Sequence, residues 1–414
     1  MSSIKHKNEY FASCPPGLEP FLSKELLSIG VKNVEDGSGG VHFECYPEKA
    51  ILALFHSRCA SRIYKKLFSF DIKTEKDLYF ETKEIKWKSV FDLEQTFKIQ
   101  VLQGKSPKGT KRSKFKSPLY LGQLAKDGIV DRFRKDTDER PSVNKELADA
   151  PLLLRIVPND NPHSQKETAS FLLDISGEPI SNRSYRSHVV EAPLRENLAA
   201  GICLKSGLNE NDDFYNPMCG SGTILIEGMM IKGNIPPGYL RVKRHLSGAE
   251  KEWAFLNQNF FTKDKYLKEN VTKFFFDVVD EAKVGIEKLK KAKSKNIACD
   301  IDPRAVQSAQ KNLAMLGLDK SCEIKKADAK VFAVDGFKGK IIANPPYGER
   351  LQMEDLEGLY RDFGEVLKNQ FKGSEAYVLT ANLEMIKKIQ LQTSERMLLF
   401  NGNLESRLVR YELF

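Results

Sequence analysis

"DDFYNPMCGSGTILIEGMMIKGNIPPG", residues 212–238, decides the fold. Asp213 to Tyr215 reads as a short apolar strand and Asn216 to Gly222 as a turn. Thr223 to Lys232 reads as a helix, stopped by Gly233 and Pro236. A glycine turn between strand and helix lets the backbone pass close to a ligand, and the helix N-terminus favours an anionic group. Alone, "CGSGT" (219–223) is shared by nucleotide binders and by plain tight turns. The third glycine of the dinucleotide fingerprint is missing from its usual place. No GK[ST] follows, so the turn is not a P-loop.

Downstream the same strand–turn–helix unit repeats from "NIACDIDPRAVQSAQKNLAMLG" (296–317). Further strands are expected at "CEIKKAD" (322–328), "GKIIANPP" (339–346) and "EAYVLTAN" (375–382), and a hairpin around the "NGN" of the tail. This alternation predicts a mostly parallel α/β sheet covered on both faces, with an antiparallel C-terminal hairpin. Upstream, "APLRENLAAGICLKSG" (192–207) predicts a helix ending at Gly207. Up to about residue 165, strand-like runs such as "TFKIQVL" and "PLLLRIVP" mix with helical ones, which predicts one or two α+β units. The polar "PNDNPHSQKE" (158–167) reads as a boundary, with "ASFLLDISGEPISNRSYRS" opening the next region.

The totals exclude several classes. The 414 residues suggest two or three domains, and 41% hydrophobic with 29% charged residues suits a folded, soluble chain. No apolar run approaches the roughly 18 residues of a membrane helix. The N-terminus lacks a signal-type apolar core, so a cytoplasmic location is expected. Seven widely spaced cysteines without a CxxC support neither a disulfide framework nor a zinc site, and no metal is assigned. The net charge of +9 is compatible with a polyanionic partner. In "GKSPKGTKRSKFK" (104–116), Lys105, Lys108, Lys111, Arg112, Lys114 and Lys116 occur without an acid, among Gly, Ser and Pro. That predicts an exposed, mobile loop meeting phosphates, with Phe115 inside it. "KLKKAKSK" (288–295) reads instead as a solvated helix face.

Three more strand ends carry chemistry. Asp300 and Asp302 of "ACDIDP" end an apolar strand, where a carboxylate can accept both ribose hydroxyls. Asp302-Pro303 also reads as a helix N-cap with Pro at N1. The 78 residues between Gly222 and Asp300 imply an insertion, about 234–295, and weaken an NAD reading. Asp328 of "KKADAKVF" ends the next strand and could accept from an adenine amino group. "NPPYGERL" (344–351) then stops a strand with an amide, two prolines and a ring. Proline cannot donate to a ladder, so Pro345 and Pro346 make a stiff corner holding side-chain and main-chain acceptors together. Two acceptors beside Tyr347 suit a planar group carrying an NH2, such as a nucleobase.

In this order, "NPMCGSGT", "ACDIDP", "ADA" and "NPPYGERL" resemble class I S-adenosylmethionine-dependent methyltransferases that modify amines. With "CPPGLEPFLSKELLSIG" (14–30), "LAKDGIVDRFR" (124–134), "LDISGEPISNRSYR" (173–186) and "EAPLRENLAA" (191–200), the chain resembles the THUMP-containing guanine-N2 RNA methyltransferases. Its likeness is to the N-terminal half of the RlmL type and to the YpsC type. The resemblance implies a ferredoxin-like segment (1–44), a THUMP-like RNA-binding domain (45–158) and a Rossmann-like class I methyltransferase domain with a seven-stranded sheet (166–414). It implies S-adenosylmethionine as cofactor, large-subunit ribosomal RNA or its precursor as partner, and N2-methylguanosine as product. Cofactor contacts fall on Asn216, Pro217, Cys219, Gly220, Ser221, Gly222, Thr223, Asp300, Ile301, Asp328, Ala329 and Asn344, and the catalytic corner on Asn344, Pro345, Pro346 and Tyr347.

Two departures stand out. Asn216 replaces the family's usual Asp, which argues against a charged contact to the methionine amino group there, and "RSYR" (183–186) replaces "RGYR". The second methyltransferase half of the RlmL type is missing, so one modification is expected. Methylation of tRNA guanine or of adenine N6, and a non-catalytic RNA-binding assembly factor, remain as alternatives.

Overall fold

The computed structural model describes residues 7–104, 106, 111–161, 164–186, 194–249, 252–348 and 355–414. Among these residues the chain forms two seven-stranded sheets.

The first sheet takes β1 (Asn8–Ser13), β2 (Lys32–Gly37), β3 (Gly40–Cys45), β4 (Arg62–Ile72), β5 (Phe97–Gln103), β6 (Ala150–Pro158) and β7 (Glu167–Asp174), in the order β2-β3-β1-β4-β7-β6-β5. The helices between these strands are α1 (Glu19–Ser28), α2 (Pro47–His56), α3 (Glu75–Glu84) and α4 (Pro118–Thr137). The sheet runs unbroken across residues 44/45, where one unit was expected to give way to the next. The long β4 pairs with β1 along one edge and with β7 along the other. The segment from residue 166, expected to open the methyltransferase domain, supplies β7, which lies antiparallel between β4 and β6. Its run "FLLD" is buried throughout, as an interior strand requires.

The second sheet takes β8 (Asp213–Pro217), β9 (Asn296–Asp300), β10 (Glu323–Lys326), β11 (Gly339–Ala343), β12 (Glu375–Thr380), β13 (Thr393–Asn401) and β14 (Leu404–Glu412). Its order is β10-β9-β8-β11-β12-β14-β13; the first five are parallel, and β14 runs antiparallel to its neighbours β12 and β13. The helices α5 (Glu196–Lys205), α6 (Thr223–Lys232), α10 (Pro303–Met315), α11 (Leu356–Gln370) and α12 (Leu383–Lys387) lie between its strands or ahead of them. The expected insertion contains α7 (Tyr239–Leu246), α8 (Asn259–Thr262) and the 27-residue α9 (Lys265–Lys291). From β8 the chain goes outward to β9 and β10, then returns across to β11 and β12. The strand order therefore reverses between β8 and β11, and in such sheets ligands bind beyond the carboxyl ends of the strands at this point.

The two sheets are not independent bodies. Leu18, Leu22, Leu54 and Phe55 of the N-terminal segment share one core with Ile202, Met229 and Phe275. Buried Arg183 bridges the units: its Nε donates to Glu227 Oε1 on α6 at 3.4 Å, and its guanidinium also donates to the Arg58 carbonyl. Trp87, Phe97, Phe133 and Phe171 form a second core beneath β4–β7. Among the described residues no helix is long and apolar enough to cross a membrane, and no group of three His, Cys, Asp or Glu could hold a metal.

Candidate active site

All the strand ends singled out in the sequence open on the same edge of the second sheet. The β8–β11 ladder has its last pair at Ile341 and Tyr215. Beyond it the Asn216 side chain takes over, its Nδ2 donating to the Ile342 carbonyl at 2.7 Å. Oδ1 of Asn216 is buried and has no partner among the described residues. An aspartate here would set its charge against that carbonyl, so the amide suits the parting of the strands.

The glycine turn follows. Met218, Gly220 and Gly222 have φ of +52°, +55° and +82°. Gly222 needs its lack of a side chain, since a Cβ would stand 3.0 Å from the Ala309 Cβ, whereas space is open beside Gly220. The Gly222 N–H donates to the Cys219 carbonyl at 2.9 Å, and Asn312 Nδ2 donates to the Ser221 carbonyl at 3.0 Å. Burial raises the Cys219 thiol pKa well above its usual value, which makes it an inert wall and not a nucleophile. Gly222 offers no side-chain cap, so the first N–H groups of α6, from Thr223, lack intrahelical partners.

Asp300 ends β9, pointing its carboxylate into the turn. Oδ2 accepts from the Gly220 N–H at 2.8 Å and Oδ1 from the Asp302 N–H at 3.0 Å. One residue thus braces both loops and keeps a lone pair on each oxygen. Asp302 caps α10, its Oδ1 accepting from the Arg304 N–H at 2.8 Å, and pairs with the Arg304 side chain. Ile301, between them, is 64% exposed, an apolar surface left uncovered at a polar rim. Just beyond the neighbouring β10, Asp328 accepts from the Lys330 N–H at 2.9 Å and Ala329 is buried. Glycine backbone, carboxylate, bare aliphatic face and second carboxylate together make a cradle with the chemistry of a nucleoside site.

The corner after β11 is pinned from behind. Tyr360 of α11, 1% exposed, donates its hydroxyl to the Pro346 carbonyl at 3.1 Å, and Asn382 Nδ2 donates to the Tyr347 carbonyl at 3.0 Å. Among the described residues no donor reaches the Pro345 carbonyl. Asn344 Oδ1 accepts from the Tyr347 hydroxyl at 2.5 Å. Sequence reasoning missed both supports. Tyr360 reads as an ordinary apolar position of a helix, and Asn382 as the end of a strand. An Asn directly after "LTA" and before a short helix was the available N-cap signal.

The basic loop differs from expectation. Lys105 and Lys108 lie outside the described residues, as do Glu349 to Leu351 of the strand-end motif. Phe115 is 6% exposed and belongs to the core with Trp87, because its aromatic surface is worth more there than in water. Lys111 Nζ donates to the Asn161 carbonyl at 2.7 Å and Lys114 Nζ to that of Gln165 at 2.5 Å. Buried Glu167 accepts from Ser113 Oγ and the Lys114 N–H, both at 2.7 Å. The described part of the loop is therefore tied to the β6–β7 connection. Arg112 and Lys116 are exposed and have no partner among the described residues. The basic run at 288–295 includes the end of α9, where Lys290 pairs with Glu287, as a solvated face would.

Comparison with known proteins agrees with this geometry. Residues 9–64 match the RlmL ferredoxin-like domain, 73–160 the THUMP domain, and 183–410 the RMKL-like methyltransferase domain. The chain is 34% identical over 401 residues to the ribosomal RNA large subunit methyltransferase K/L of Buchnera aphidicola, covering 96% of this chain and 53% of that protein. It is 32% identical to the protein of the same name from Vibrio parahaemolyticus, covering 98% of this chain and 53% of that one. The chain thus spans about half the length of these curated relatives. Among solved structures it is similar to SMU.472, described as a methyltransferase and complexed with SAH, with TM-score 0.75, 25% identity and 99% of each chain covered. With more than half of its residues matched, the chain belongs to the RMKL-like methyltransferase-domain family.

Proposed function

We propose that this protein transfers a methyl group from S-adenosylmethionine to the exocyclic N2 amine of a guanosine in large-subunit (23S) ribosomal RNA or its precursor. The observation that carries the reading is the corner at Asn344. A side-chain acceptor and a Pro345 carbonyl that no described donor reaches stand at the mouth of β11, next to the glycine turn of β8. The name shared by the relatives supports the RNA, and the THUMP match supports RNA binding. Such work belongs in the cytoplasm.

The residues fit the cofactor. Space beside Gly220 admits its amino-acid end, Asp300 keeps lone pairs for the ribose hydroxyls, and Ile301 offers a face for adenine with Asp328 near its amino group. When bound, S-adenosylmethionine supplies a methyl group activated by its sulfonium.

The guanine amine is a poor nucleophile because its lone pair is delocalised into the ring. Asn344 Oδ1 and the Pro345 carbonyl accept hydrogen bonds from its two N–H groups, drawing the nitrogen toward a tetrahedral shape and aiming the lone pair across the β8–β11 gap; the one proton lost after transfer passes to solvent. Tyr347 stacks on the base, worth roughly 1–3 kcal/mol. To reach the corner the nucleotide must leave its stack. Tyr360 and Asn382 keep the acceptors from drifting, and such positioning supplies much of the rate.

The test uses purified protein, labelled S-adenosylmethionine and total RNA from a strain lacking the gene, with the RNA fractionated and digested to nucleosides. Label in N2-methylguanosine from large-subunit RNA is the expected result. Label confined to tRNA, or found in N6-methyladenosine, would overturn the proposal.

A further inference from the structure

The segment before α5 brings a cation to the glycine turn. Tyr185, 1% exposed, donates its hydroxyl to Glu227 Oε1 at 3.1 Å, and Arg183 is held by the same carboxylate. These anchors on α6 fix the next residue, Arg186, whose side chain is only 14% exposed. Its Nη2 donates to the Thr223 hydroxyl at 3.0 Å and to the Leu194 carbonyl at 2.9 Å, and lies 3.5 Å from Glu196 Oε1. All of these interactions fall on one nitrogen. Among the described residues Nε is buried without a partner, and none reaches Nη1.

The position is electrostatically odd. Thr223 is the first residue of α6, and a helix N-terminus repels a cation. Glu196 offsets this at a distance, yet the remaining donors of the guanidinium stay unused beside the uncapped N–H groups. An anion lying at the turn would take hydrogen bonds from Nη1 and from the uncapped N–H groups of α6, and a carboxylate matches the guanidinium in charge. Asn216, across the turn, is neutral, so it cannot supply charge recognition of an amino acid there.

We infer that Arg186 binds the carboxylate of the methionine end of S-adenosylmethionine and so makes the site selective for the intact amino acid. This rests on the cofactor reading above. The alternative occupant is a phosphate of the target RNA.

The experiment measures binding by calorimetry, with the full chain, of S-adenosylhomocysteine (SAH) and its decarboxylated analogue, which keeps the amine and the nucleoside. The unmodified protein should prefer SAH by tenfold or more. Arg186→Gln should remove most of that preference by weakening SAH alone, and Arg186→Lys should recover part of it. The analogue's unchanged affinity then shows that the turn is intact. Equal affinities for the two ligands on the unmodified protein would overturn the inference without needing any variant. So would an equal loss for both ligands in Arg186→Gln, which is what support of Thr223 alone predicts, or a loss seen only in RNA affinity. Should the unmodified protein bind neither ligand, the cofactor reading itself fails.

Discussion

The Tyr347 hydroxyl donates to Asn344 Oδ1 at 2.5 Å, occupying the acceptor that an incoming amine needs. Burial raises the phenol pKa, so the group stays a donor. The phenol must therefore give way when the base arrives, leaving the ring to stack. Tyr347→Phe frees Oδ1 and keeps the ring, so KM for RNA should stay level or fall and the transfer rate should hold within about threefold. Tyr347→Ala loses the stack, worth roughly 1–3 kcal/mol, and should cost about 5- to 150-fold in kcat/KM. Steady-state kinetics of both variants decide the matter. Equal losses would make the hydroxyl the working group.

Asp300 braces Gly220 and Asp302, and on the proposed reading it also offers lone pairs to a ribose. Asp300→Asn can keep one of the two turn hydrogen bonds, whereas Asp300→Ala loses both. Both variants should bind the cofactor tenfold or more weakly, Ala worse than Asn, with RNA affinity barely changed. Unaltered binding in calorimetry would move the ribose role to Asp302, although that carboxylate already caps α10.

The parallel half of the second sheet was legible because its signals are local. Thr223 to Lys232 is the expected helix residue for residue, and the hairpin turns at Gly402, whose φ is +65°. The helix expected from residue 192 runs Glu196–Lys205, because Arg195 is extended and forms the N-cap; residues 192 and 193 lie outside the described residues. The first sheet was harder. β4 and β7 join segments about a hundred residues apart, and no short-range pattern encodes which strand pairs with which. Phe115 was misread because Gly, Ser and Lys neighbours say nothing about where a single ring goes. The site residues stood out because prolines, glycines and acids at strand ends have few structural uses. Arg186, Tyr360 and Asn382 act from helices and connections, where their residue types are commonplace.

Ser184 occupies the glycine position of the family's "RGYR" with φ +65°. A left-handed conformation costs an ordinary residue roughly 1–2 kcal/mol, of which the looser unfolded state of glycine returns about half. Ser184→Gly should thus stabilise the protein by about 0.5–1 kcal/mol and raise the melting temperature by a degree or more. Differential scanning calorimetry checks this. A lower melting temperature would mean that the serine side chain holds the segment in place.

The basic loop now divides into two classes. Lys111 and Lys114 are spent on backbone carbonyls, while Arg112 and Lys116 face solvent. Changing Arg112 and Lys116 to Ser should weaken binding to every RNA alike and flatten log K against log salt by up to about one unit for each phosphate no longer neutralised. The same change at Lys111 and Lys114 should move the slope less. Binding isotherms at several salt concentrations would show it, and an identical slope in the first pair would place the RNA surface elsewhere.

Asn344 is the residue proposed to receive the amine being methylated. The most direct test of that role is single-turnover methyl transfer by Asn344→Ala with saturating cofactor, alongside the cofactor affinity of the same preparation. Transfer should fall by a hundredfold or more while the cofactor binds within a few-fold of normal, since two hydrogen-bond acceptors would be reduced to one at an otherwise intact corner. Transfer above about a tenth of the unmodified rate, a loss of less than 1.4 kcal/mol, would contradict the account.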